Sequence, residues 1–114
     1  MSKYEGEFIQ YNKLIRDKIP EYIIDKYKNK KRCYTKILDQ DEYRYFLNLK
    51  LQEEINEYLE SEDNEELADI LEVIYAIAKI KGIGVQDVEQ IREEKHLRLG
   101  GFDKKLLLLH TIKK

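Results

Sequence analysis

Five acids stand close together near the middle of this 114-residue chain: Glu53, Glu54 and Glu57, then Glu66 and Asp69 after a gap of eight residues. Their chemistry depends on which way they face. Placed at about 100° per residue, Leu47, Leu51 and Tyr58 fall within roughly 60° of Glu54, and Ile55 extends that stripe. Glu54 therefore sits inside an apolar arc, with Glu57 at its rim. On the next segment, Ile70, Val73, Ile77 and Ile80 fall within roughly 40° of Glu66, with Ile74 beyond. Glu66 sits inside that second arc, with Asp69 at its rim. Both segments thus place one acid in the apolar stripe and a second acid three residues later.

The gap between the segments, Ser61-Glu62-Asp63-Asn64, is short and polar. Such a connection predicts two antiparallel helices. Counted from the turn, Glu57 matches Glu66 and Glu54 matches Asp69, in two layers roughly 4–5 Å apart. Four carboxylates would then converge at one end of a core. Isolated ionised carboxylates resist burial, and neighbouring like charges oppose ionisation. Either protons or basic partners relieve the cluster, or a hard divalent cation sits among the acids. An all-oxygen donor set favours Mg²⁺, or Mn²⁺ as a substitute, over zinc.

The elements that must carry these acids read as helices. Asp17 can cap a short first helix whose opening turn tolerates Pro20 and which runs to about Lys28. Lys28–Arg32 reads as a solvated loop, and Cys33–Leu38 as a short extended piece. Asp39 and Glu42 form a capping box ahead of a helix over roughly 40–60. A third helix is expected over roughly 65–81, stopping at Gly82, and a fourth over roughly 86–98, stopping at Gly100-Gly101. The tail from Phe102 to Ile112, with leucines at all four positions 106–109, fits helix or strand equally. No alternating strand pattern dominates, so the fold class is all-α, in one domain spanning 1–114.

Composition excludes several functions. The net charge is −2, with no basic tail, so nothing points to nucleic acid. Cys33 is the one cysteine, which fits a reducing cytoplasm. The polar start, Met1–Glu7, predicts no secretory leader. No apolar run approaches the ~18 residues of a membrane span. Charged residues make up 39% of the chain, so the core is thin and assembly would help it.

Glu53-Glu54-Ile55-Asn56-Glu57 followed by Glu66-Leu67-Ala68-Asp69 resembles the EExxE…ExxD signature of the MazG-like, all-α NTP pyrophosphatase superfamily. Two flanking blocks, Asn12–Glu21 and Lys95–Phe102, together with Glu66–Val73, resemble a subgroup described as predicted house-cleaning or phosphoribosyl-ATP pyrophosphohydrolase-like proteins. The likeness covers about 12–108 of the sequence. Its separation of Glu57 from Glu66 is shorter than in typical MazG enzymes, which fits a tight hairpin.

The resemblance implies that Glu54, Glu57, Glu66 and Asp69 hold Mg²⁺, and that Glu53 takes a proton from the attacking water or supports the ligands. It implies cleavage of a nucleoside triphosphate between its α and β phosphates, giving a monophosphate and pyrophosphate. Such a substrate needs cations from the protein. Lys95 and Arg98 share a face of the fourth helix with Val88 and Ile91, and their place on an expected inward face points to an anion. Lys13 and Arg16 lie in the first block and are further phosphate candidates, or partners of the helix acids. The family likeness also implies a homodimer or homotetramer of hairpins. Phosphoribosyl-ATP hydrolysis shares the same acids and is the enzymatic alternative. A metal-free helical interaction module is the alternative from another class.

Overall fold

A computed structural model of the chain describes residues 9–114; the reading of Met1–Glu7 lies outside them. The described residues form four α-helices and no strand: α1 (Ile19–Lys26), α2 (Gln40–Ser61), α3 (Asn64–Ile80) and α4 (Val85–Leu99). The all-α class is met. The chain divides into two compact units, one ending at Ile77 and one formed by Ala78–Lys114.

In the first unit, α1 begins one residue later than an Asp17 cap requires. Its N-cap is Lys18, which makes no side-chain cap bond. Pro20 sets this start, because its ring fits the first turn where a backbone N–H is not needed. The capping box ahead of α2 forms as expected. Asp39 Oδ1 accepts from the Glu42 N–H at 2.9 Å, and Glu42 Oε1 accepts from the Asp39 N–H at 3.3 Å. Together they satisfy two of the donors that a helix start leaves open. Residues 33–38 adopt no regular secondary structure.

Two residues join α2 to α3. Glu62 takes the left-handed conformation (φ 56°) and its N–H reaches the Tyr58 carbonyl at 2.6 Å. Ser61 Oγ donates to the Glu57 carbonyl and accepts from the Asp63 N–H, and the Glu66 N–H closes onto the Asp63 carbonyl. In one continuous helix, Glu54 and Asp69 would lie about 22 Å apart. Their carboxylate oxygens instead lie within 4.8 Å of each other, so α3 folds back beside α2.

The fold-back buries little. Leu47 on α2 is 2% exposed, and Val73 on α3 is buried. The expected stripe holds at Leu47, Val73 and half-buried Leu51, Tyr58, Ile70 and Ile77. It fails at Ile55, which is 40% exposed. One residue past Glu54 turns Ile55 about 100° away, and the thin core offers nothing there to cover it.

In the second unit, the end of α3 closes on Gly82 (φ 77°), where the Ile83 N–H reaches back to the Ala78 carbonyl at 3.0 Å. That is the bonding of a glycine-terminated helix. The Asp87 carboxylate accepts from the Gly84 N–H at 2.7 Å and starts α4. Gly100 (φ 82°) ends it. Beyond lies a tail with one turn and no helix or strand. No described helix is long and apolar enough to cross a membrane.

Candidate functional site

The acids meet on the facing sides of α2 and α3. Glu54, Glu66 and Asp69 each bring one carboxylate oxygen within 4.8 Å of the others. Glu54 is 6% exposed, the one buried charged residue among those described. Glu54 is the deepest member of this group and Glu66 and Asp69 are less enclosed, while Glu57, three residues past Glu54 on α2, stands beside them. Glu57 lies near enough to push on both neighbours electrostatically: its charge raises the proton affinity of Glu54 and of Glu66.

Basic side chains approach from two directions. Lys50, one turn before Glu54 on α2, sits 3.4 Å from Glu54 Oε1 and 3.2 Å from Glu53 Oε2. From the segment ahead of α1, Lys13 reaches Glu53 Oε1 at 3.3 Å, and Arg16 reaches Asp69 Oδ1 at 2.6 Å. The first block of the sequence therefore lies against the acids. Lys50 is absent from the candidates that the sequence suggests. Its signal was present, because spacings of three and four residues to Glu53 and Glu54 place it on their side of the helix.

The pairing is incomplete. Glu54 Oε2 and Glu66 Oε2 are closed off from solvent and have no hydrogen-bond partner. The proton affinities reflect this. Burial, then the hydrogen bond that a proton on Glu66 makes with Glu54, then the charge of Glu57, push Glu66 up to about 7. Burial and the charge of Glu57 also raise Glu54, against the pull of Lys50. Glu53 shows the reverse. Burial opposes its ionisation, but Lys50 and Lys13 outweigh it and hold the carboxyl below its ordinary value.

The acids fit a hard divalent cation. All donors are carboxylate oxygens, and two of the cluster's oxygens are buried without partners. Mg²⁺, with oxygen bonds of about 2.0–2.1 Å, spans at most about 4.2 Å between opposite ligands, so acids spread over up to 4.8 Å would have to close in slightly around it. Glu54, Glu66 and Asp69 supply this set directly, with Glu57 beside it. The same acids, if left without an ion, leave Glu66 about half protonated at pH 7.

Lys95 and Arg98 lie in the second unit, on α4, where they line an open depression with Ile91 and Glu94. The expected inward stripe is absent on this helix. Val88 is half-buried, whereas Ile91, Lys95 and Arg98 are exposed. Ten of the fifteen side chains of α4 are charged, amide or imidazole, and of its five apolar residues only Val88 is not exposed, so that face has too little area to bury. No family model, curated protein or solved structure matches this chain.

Proposed function

We propose that this chain is a Mg²⁺-dependent nucleotide pyrophosphohydrolase of the MazG-like kind, with Mn²⁺ as a possible substitute ion. One observation carries the reading: three helix-borne carboxylates converge, and two of their buried oxygens lack a partner unless Glu66 holds a proton. Placing acids together at the cost of their own solvation is a mark of a functional cluster. Glu54, Glu66 and Asp69, with Glu57 adjacent, would hold the ion. Bound there, the ion would neutralise phosphate oxygens and make a bound water more acidic.

The chain's own groups supply the rest. Arg16 fixes the Asp69 carboxylate, and Lys50 and Lys13 keep Glu53 ionised. An ionised Glu53 suits orienting a water by accepting its hydrogen bond. Lys13 and Arg16, both exposed, also suit phosphate oxygens, as do Lys95 and Arg98 on α4. The substrate in this reading is a nucleoside triphosphate, cleaved between the α and β phosphates, with house-cleaning of non-standard nucleotides in the cytoplasm as the role. The hairpin is completed by assembly into a homodimer or homotetramer.

A second reading has its own support. Three ion pairs already partner Glu53, Glu54 and Asp69, as a metal-free helical interaction module would arrange them. The deciding assay is pyrophosphate release from a panel of ribo-, deoxy- and modified nucleoside triphosphates and phosphoribosyl-ATP, with and without Mg²⁺. Release that needs Mg²⁺ and is lost in Glu57→Ala and Asp69→Ala supports the enzyme. No release from any substrate, together with no Mg²⁺ binding, sinks it in favour of the module.

A further inference from the structure

The largest exposed apolar feature of the described residues is the segment after α4. Phe102, Leu106, Leu107, Leu108, Leu109 and Ile112 are each 79% exposed or more. Beyond Lys105 the segment makes no backbone hydrogen bond among the described residues. Scattered exposed leucines need no explanation, but six large apolar side chains within eleven residues do. At on the order of 100 Å² of apolar side chain each, they offer about 600 Å² per chain. Unpartnered, this would be a patch at the upper limit for a monomer.

Charge indicates what covers it. Residues 102–114 carry four lysines against Asp103, a balance of +3. Residues 40–77, which hold α2 and the first-unit part of α3, carry twelve acids against Arg44 and Lys50, a balance of −10, or −8 with Lys13 and Arg16, which pair with Glu53 and Asp69. This acidic hairpin also leaves apolar side chains open near its turn: Ile55 and Leu59 on α2, and Leu67 and Leu71 on α3. Each pair has the four-residue spacing of neighbours on one helix face. A basic, leucine-rich segment and an acidic surface with exposed leucines are complementary in both respects.

We propose that residues 102–112 are an arm that seats its leucines on the acidic α2–α3 hairpin of a second copy of this chain, and receives that copy's arm in return. Two arms and the surfaces they cover bury about 2,400 Å², within the range of permanent dimers. The arrangement is isologous and therefore closed, which caps assembly through these surfaces at a pair. It identifies the surfaces of the assembly proposed above and does not depend on an ion.

The test is solution mass by light scattering on the full chain in EDTA, so that loss of ion binding leaves the result untouched. At about 100 µM, well above the dissociation constants of such interfaces, the wild type is expected at a multiple of 13.8 kDa. The double substitution Leu107→Asp with Leu108→Asp, and separately Leu59→Asp with Leu67→Asp, is expected to weaken association about 100-fold or more. All four side chains are exposed, so helical circular dichroism should persist in both. An equimolar mixture of the two variants is expected to pair again, because one arm and one hairpin remain intact. A wild type at 13.8 kDa overturns the proposal. So does an assembly indifferent to the arm substitutions, or a mixture that fails to associate.

Discussion

If the acids hold the proposed cation, magnesium added to this protein is expected to displace protons from Glu66. Around the cluster stand five acids, Glu53, Glu54, Glu57, Glu66 and Asp69, and three bases, Lys13, Lys50 and Arg16. Fully ionised they sum to −2, and with a proton on Glu66 to −1. A divalent ion neutralises the first state but finds the second already half neutralised. A carboxylate must be deprotonated to bind a metal. With Glu66 titrating at about 7, it carries about 0.9 proton at pH 6, about 0.5 at pH 7 and about 0.01 at pH 9. Those fractions are the share of Glu66 in the protons expelled per ion, to which Glu54, also raised, adds. Apparent affinity falls with them, about twofold at pH 7 and about elevenfold at pH 6 relative to pH 9. Calorimetric titration at fixed pH in two buffers of different protonation enthalpy reads the proton count directly. In Glu66→Gln the count should drop by that share. Binding without proton release at pH 6 would refute Glu66 as a protonated ligand. No binding at any pH would refute the cation site.

Without divalent ions, the sign of the pH dependence reverses the usual carboxylate case. Glu66 binds its proton more tightly folded (about 7) than at its ordinary 4.5. Its contribution is thus fully present below about pH 4.5 and lost as pH rises through 7. Glu54 acts in the same direction, and Glu53, held low by Lys50 and Lys13, acts oppositely on the acid side. Thermal melts in EDTA should therefore show Tm falling from pH 5 to pH 8, a fall that Glu66→Gln reduces and that Glu54 in part sustains. Glu54→Gln should raise ion-free stability at pH 8 by about 1 kcal/mol, or about 4–8 °C, while abolishing the Mg²⁺-induced shift. Leu47→Ala, at the best-buried apolar position, should cost about 2–5 kcal/mol by denaturant unfolding. Arg16→Ala, by contrast, breaks a largely exposed pair and should change stability by about 1 kcal/mol or less.

The helices were legible because their ends are marked by local chemistry. Asp39 and Glu42 cap α2 as their spacing required, and Gly82 and Gly100 stop α3 and α4 with positive φ. The inward placement of Glu54 and Glu66 was legible too, since a 3.6-residue period fixes direction once the helix is known. Other features depend on what lies across from a side chain, which a single segment does not encode. Ile55 reads as core by periodicity yet meets no covering element, and Lys95 and Arg98 face open space on a helix with little apolar area. Asp17 is a good capping residue in the wrong place, because Pro20 moves the helix start one residue past it. The meeting of Arg16 with Asp69 spans 53 positions, and only the fold brings it about.

The two-residue link between α2 and α3 has a consequence for how this sequence can change. Each residue added to a helix rotates the remainder of that helix by about 100°. One residue inserted before Glu66 within α3 would carry Glu66 and Asp69 off the face they share with Glu54. Glu62, already held left-handed, has no slack to absorb such a change. Within α3, between its start and Glu66, length is therefore a stricter requirement than residue identity, whereas Glu62, left-handed already, can become glycine. The stretch at 28–38, outside every helix, has the opposite freedom. Insertions there would leave the three-residue spacings of Glu54 to Glu57 and Glu66 to Asp69 untouched.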